Sequence, residues 1–332
     1  MRESTFIFKN KERWESVENG EEKSSDELAD DFVELVNDLS YAKTNYPSSK
    51  LTAYLNSLSS RLYKRIFLGF KQDSNPVAIF WKKDFPLILG HRRHVLWFAT
   101  GLFLTFCVLG YICSIVEEDF VVGILGSEYV NMTSQNIAEG KPFGVYESES
   151  PLLMFMKILT NNLIVGLLVF ASGILLSLGS VYYTFTNGIM IGAFFSLFIL
   201  RGLGLDAIFV IMLHGTFELM GLILECAAGL ILGLSFLFPK TLSRKQAFMT
   251  GLSESARIYI GAIPFTFMAA VIESFVTYLG RGGIRGSNPT LLVPLGLVFI
   301  ASWVVVIWYF YVYPNKVKKQ YPYHNYLQQF YD

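Results

Sequence analysis

The stretch from Ala207 to Lys240, AIFVIMLHGTFELMGLILECAAGLILGLSFLFPK, is apolar almost throughout, yet it carries His214, Glu218 and Glu225. As one helix its apolar part would run roughly 48 Å, well past the roughly 30 Å of bilayer hydrocarbon, so it is expected to bend, break or tilt. The three polar residues stand at i, i+4 and i+11, within about 40° of one another around a helix. A face carrying two carboxyls cannot look at lipid; it must turn toward a partner helix, a cavity or water. Gly215, beside His214, offers a flexible point. Gly229 and Gly233 form a small-xxx-small surface on which another helix can close.

The rest of the 332-residue chain agrees with a membrane setting. It is 52% hydrophobic and 16% charged, with several apolar runs of membrane length. The expected fold is all-α: a polytopic helical membrane protein of about six transmembrane helices, some broken, short or re-entrant, behind an N-terminal cytoplasmic helical domain. A formal net charge of zero gives no pull toward nucleic acid, and no nucleic-acid partner is expected. Cys107, Cys113 and Cys226 lie inside apolar segments without metal-type spacing and read as small hydrophobes. No cofactor is expected, and with no P-loop any energy input would come from an ion gradient or a partner.

Residues 1–94 read as the helical domain. Phe6 and Trp14 suggest a short helix. Ser24 to Glu27 reads as a capping box ahead of a stripe of Leu28, Phe32, Leu35, Val36 and Leu39, which Pro47 ends. Leu51, Tyr54, Leu55, Leu58, Leu62 and Ile66 make a second stripe. Within this domain, residues 76–94 form an elbow into the membrane, with Phe80, Trp81, Lys82 and Lys83 of interfacial composition and Arg92 and Arg93 just ahead of the first span.

The transmembrane domain is expected over residues 95–312 and a cytoplasmic tail over 313–332. The spans begin near Val95, Leu152, Asn187, Ala207, Arg257 and Leu291. An acidic extracytoplasmic loop occupies 117–150, and an amphipathic surface helix lies at about 243–256. The second span reaches about Tyr182, which leaves the run from Asn187 to Arg201 short for a crossing unless Tyr182 to Thr186 also belongs to it. Basic residues at Arg92, Arg93, Lys240, Arg244, Lys245, Lys316, Lys318 and Lys319 predict a multi-pass protein of the cell inner (cytoplasmic) membrane with both termini on the cytoplasmic side. FASGILLSLG at 170–179 is similar to ECAAGLILGLS at 225–235, an alignment that sets Asn162 opposite Glu218 and would fit a parallel repeat.

Asn161 and Asn162 followed by Ser172-Gly173, Asn187-Gly188 with Ile191-Gly192, HGTFEL at 214–219 with AAGL at 227–230, and AAVIESF at 269–275 resemble the stage II sporulation protein M family. The resemblance extends to Trp14-Glu15 and to Tyr54–Asn56. It implies a helical multi-pass membrane protein. The family's founding members look like parts of a multiprotein engulfment machine, and relatives occur in organisms that do not sporulate, so partners are implied more than chemistry.

His214, Glu218, Glu225, Glu273, Asn161, Asn162 and Asn187 are the intramembrane polar candidates. They could hold helices together, form an ion or substrate pathway, or coordinate a metal. His214 and Glu218 in HxxxE spacing also permit an intramembrane hydrolase, although position 218 would have to be His in a zincin motif. Gly173, Gly188, Gly192, Gly215, Gly229 and Gly233 are the candidate helix-packing glycines. The reading favoured by sequence is a non-catalytic membrane component or scaffold of an envelope complex. Its partners would be the lipid bilayer, a second copy of the chain (a homo-oligomer, most simply a dimer) and a protein held through residues 1–94. An ion-coupled permease is the alternative.

Overall fold

A computed structural model describes residues 2–19, 25–68, 75–144, 150–280, 282–286 and 288–321, helical throughout with no strand among the described residues. The chain divides into two compact units, Met1–Pro76 and Val77–Asp332.

The first unit consists of α1 (Glu3–Asn19), α2 (Ser25–Asn45) and α3 (Lys50–Leu68). Apolar residues recurring every three or four positions give each helix one sticky face, and the three faces meet. Phe6 and Trp14 are buried with Leu35 and Leu39 of α2 and with Leu51, Leu55, Leu58 and Leu62 of α3. Leu28, Phe32, Tyr54 and Ile66 pack around that core, while Val36 turns outward. The Trp14 indole donates to Asp38 Oδ2 at 2.9 Å, and Arg13 pairs with both Glu34 and Asp38. The Tyr54 hydroxyl and the Arg61 guanidinium both donate to Glu18 and hold its carboxyl below the usual range. The capping box expected at Ser24–Glu27 falls outside the described residues. Helix α2 ends at Asn45, two residues before Pro47, as the steric demand of proline requires.

In the second unit, α4 (Pro76–Ile79), a π-helical turn at Phe80–Asp84 and α5 (Phe85–His91) lead into α6 (Arg93–Val116). Then come α7 (Glu118–Leu125), α8 (Ser127–Ala138), α9 (Pro151–Ala171), α10 (Leu178–Ile199), α11 (Gly204–Leu237) and α12 (Arg244–Phe275). The short α13 (Gly283–Gly286) precedes α14 (Pro289–Val306), a second π-helical turn at Ile307–Val312 and α15 (Tyr313–Gln320). Six helical segments among the described residues are long and apolar enough to cross a membrane. The large side chains they expose, Leu104, Val108, Ile164, Leu167, Val293 and Ile300 among them, are those lipid tolerates. This is an all-α polytopic membrane protein.

Helix α11 is the hub. It is apolar all round, and such a helix belongs in the middle. Of its most apolar stretch 78% is buried, against 11% for the Pro151–Ile174 span. It does not break at Gly215; it continues for 34 residues, about 51 Å. The excess length is covered instead: Ala207, Val210 and Ile211 in its first turns pack with Val121 and Phe143 of the 117–144 region and with Leu197 and Phe198 of α10.

Three expected boundaries move. The second span stops at Ala171, and the chain reverses through Leu175, Leu176 and Ser177, the last two at φ 54° and 69°. No glycine or proline marks this turn, and left-handed backbone costs an L-residue roughly 1–2 kcal/mol. The turn is held by the Ser177 amide donating to Gly173 O (2.8 Å) and the Ser177 hydroxyl donating to Leu230 O (3.2 Å). The third span therefore has 22 residues and is not short. The amphipathic segment at 243–256 is continuous with the fifth span, opened by a Ser243–Gln246 capping box and buried where Gly251 meets Ser235. Glu254, 0% exposed, can be buried there because Arg92 Nε donates to it at 2.7 Å. Finally, the elbow packs on the spans. Phe85 is fully buried beneath Gly261, and the Tyr309 and Tyr313 hydroxyls donate to the carbonyls of Trp81 and Lys82, each at 2.8 Å. Lys82 and Arg93 stay exposed, and the Lys83 ammonium stacks over the Tyr321 ring at 4.6 Å.

Close approach by small residues packs the spans on each other. Gly188 and Gly192 of α10 lie against the α6 backbone near Phe103–Tyr111, and Gly173 lies against Gly229. Gly215, in contrast, faces only Ile211 and Met212 of its own helix, at 3.6 and 3.7 Å from an added methyl. Gly173→Val should cost about 1–3 kcal/mol by overpacking and lower the unfolding midpoint of the detergent-solubilised protein. Gly101→Ala, whose methyl would meet nothing within 4 Å, should leave the midpoint unchanged. Equal midpoints would show that α9 and α11 do not meet at these glycines.

Candidate functional site

The polar face of α11 is met from three sides. Helix α12 returns antiparallel along it and brings Glu273 opposite His214, with Nε2 and Oε1 3.8 Å apart. One turn beyond Glu273, Thr277 Oγ1 lies 3.0 Å from His214 Nδ1 and 3.2 Å from the carbonyl of Ile272. A threonine hydroxyl has one proton; directed to the carbonyl, it lets Nδ1 of the imidazole carry hydrogen and donate to Thr277, the tautomer that leaves the Nε2 lone pair facing Glu273. Helix α9 supplies Asn162, whose amide donates to Glu218 Oε1 at 2.9 Å. One ligand atom each of His214, Glu218 and Glu273 lies within 4.8 Å of the others.

Two cavities share this cluster. The larger, about 330 Å³, is bounded by Tyr129 of α8, Met154 and Lys157 in the first turns of α9, Phe194 of α10, and the His214–Glu218–Glu273 group. The smaller, about 50 Å³, holds Asn162, Asn187, Glu218, Glu225 and Thr266. Glu218 and Ile191 line both, so polar groups continue along α11 from His214 to Glu225. Past Glu225 the path closes where Gly173 meets Gly229 and where Gly233 meets Ser177. Burial pushes the Tyr129 phenol up to about 12, opposed by a hydrogen bond with Thr133 and assisted by the Glu273 charge, so the hydroxyl stays a donor.

The remaining candidates are placed as follows. Glu225, 4% exposed, lies against Gly166 of α9, which has no side chain to clash with the carboxyl. Asn187 lines the small cavity while its amide donates to Tyr183 O at 2.8 Å. Asn161 faces outward and touches the group only through Asn162, at 3.3 Å. Sequence reasoning missed Thr277, Thr266, Tyr129, Lys157 and the buried Asp206, whose carboxylate accepts from the Ile284 amide at 2.6 Å. Thr277 carried a signal: it follows Glu273 by four positions, the spacing of one helical face.

Residues 99–278, more than half of the chain, match the family described as Stage II sporulation protein M. The chain belongs to the stage II sporulation protein M family. In this family member the matched segment runs from α6 through Thr277 and so contains Asn162, Asn187, His214, Glu218, Glu225 and Glu273, while α14 and α15 fall beyond it. Residues 4–67, including the Trp14-Glu15 and Tyr54–Asn56 motifs, match a different family, described as Domain of unknown function (DUF8413). No curated protein and no solved structure matches the chain.

The Asn162–Glu218 bond makes an internal contrast with Asn161. Asn162→Ala should cost about 1–3 kcal/mol by leaving a buried carboxyl without its donor. Asn161→Ala should stay within about 0.5 kcal/mol. Thermal unfolding of both variants in one detergent checks this, and equal losses would remove Asn162 from the site.

Proposed function

We propose that the membrane unit is an ion-coupled permease whose pathway runs along the polar face of α11. The carrying observation is the shape of the path. A cavity of about 330 Å³ reaches the His214–Glu218–Glu273 group, a smaller chamber extends it to Glu225, and glycine and serine contacts close it beyond. A purely structural cluster has no need of a cavity that reaches it, whereas a carrier needs access from one side and closure on the other. On our reading the basic ends, with Lys240, Arg244, Lys316 and Lys318, face the cytoplasm and both termini lie there. The larger cavity then opens to the outside of the cytoplasmic membrane.

A scaffold role is the second reading. It is supported by the first unit, which has its own core and its own family match and exposes Phe8 at 86%. That unit could hold a soluble partner while the membrane unit works. An intramembrane hydrolase has less support. The hydroxyl nearest His214, that of Thr277, donates to a backbone carbonyl and does not line the cavity.

The test is flux. Purified protein in liposomes, under a pH gradient and with a panel of mono- and divalent cations inside, should pass at least one ion or proton. Glu218→Gln and Glu273→Gln, both folded, should pass it at least about tenfold more slowly. Wild-type liposomes no leakier than empty ones to every cation would end the permease reading. A stoichiometric partner that co-purifies with the full chain and is lost when residues 1–70 are removed would then favour the scaffold.

A further inference from the structure

From the geometry at the head of this pathway we infer that His214, Glu218 and Glu273 bind a divalent first-row transition-metal ion, of the zinc, iron(II) or manganese kind. This rests on reading the cavity as an ion pathway, but it is tested by binding and not by transport.

Four observations carry it. One ligand atom of each residue lies within 4.8 Å of the others, a set that modest side-chain rotation closes onto an ion at roughly 2.0–2.2 Å. Each of two ligands is oriented by a neighbour behind it: Thr277 is hydrogen-bonded to Nδ1 of His214, with Nε2 on the side of Glu273, and the Asn162 amide donates to one oxygen of Glu218. Such outer partners fix tautomer and direction in metal sites. The three residues stand at the wall of a cavity of about 330 Å³, so the protein offers three ligands and leaves the remaining positions to water. That is the open form of a metal site, in which the ion can be exchanged. Two carboxylates outnumber Lys157, the ammonium on the wall of the same cavity, so a cation is favoured there inside an apolar helix bundle.

The donor set also decides the class. Calcium takes six to eight oxygens and sodium prefers oxygen alone, so an imidazole nitrogen argues against both. Cys107, Cys113 and Cys226 line neither cavity, so no thiolate is on offer, and the converging donors are one imidazole nitrogen and two carboxyl oxygens, a set that argues against copper(I).

The experiment uses the full-length protein in detergent, stripped with a chelator and titrated with zinc, with cobalt(II) as the optical probe. One zinc per chain and a chelator-reversible cobalt absorption band are expected. Glu218→Gln and Glu273→Gln should each weaken binding by about 100-fold or more, and Thr277→Val by about 10–100-fold, the loss typical of an outer partner. Glu128→Gln, exposed on α8, should change nothing. X-ray absorption of the zinc-loaded wild type should show one imidazole nitrogen among oxygens, which keeps the test decisive even if a variant misfolds. Zinc binding that survives Glu273→Gln, a shell of oxygens alone, or no zinc bound by the wild type would each overturn the inference. Binding without flux would leave this site standing and end the permease reading; flux without binding would do the reverse.

Discussion

A helix that is apolar all round, and yet carries an imidazole and two carboxyls on one stripe, must have its polar groups satisfied by its neighbours. Helix α11 imposes that condition on the membrane unit. Near its C-terminal end it is lined by Gly173, Ser177 and Ser180, small enough for backbones to touch and for hydroxyls to reach carbonyls, as the Ser180 hydroxyl does at Val169 O (2.6 Å). Near its N-terminal end the side chains that α9 and α10 bring to the cavity wall include Met154, Ile158, Ile191 and Phe194. Along this pair of helices small residues stand at the closed end and large ones at the cavity.

Much of this could be read from the residues. Six spans, the inward polar face of α11, the part played by Glu273 and the buried stripes of the first unit all follow from periodicity and from the cost of placing charge in lipid. What escaped were features decided by contacts between distant residues. The reversal at Leu176 and Ser177 has no glycine or proline to announce it, because its strained backbone is held by Gly173 and by Leu230, more than fifty residues away. The continuity of α12 depends on Arg92 neutralising Glu254 across 162 positions. A charge near an amphipathic stretch reads as surface until its partner is known. The aromatic and basic composition of the elbow does not say that Gly261 leaves a space for the Phe85 ring.

The internal similarity between the second and fourth spans takes on a physical meaning. Positions 162 and 218 are 56 apart, as are 173 and 229, and both pairs touch. Two helices that meet at a constant offset run parallel, so α9 and α11 lie side by side in one direction with α10 as the return. At the shared glycine position the match is symmetric, and close packing results. At the other it is not. An amide faces a carboxyl, which makes a hydrogen bond where two carboxyls would have needed a counterion. That asymmetry leaves Glu218 anchored on one side and directed to the cavity on the other.

The two family matches divide the chain where its packing divides it. The polar groups of the path, from Tyr129, His214 and Thr277 to Glu225, come from α8, α9, α10, α11, α12 and the turn after α12, within residues 99–278. The described part of residues 4–67 closes a core of its own around Trp14 and Leu55, so each matched family corresponds to a unit with its own packing, and the polar path belongs to the second.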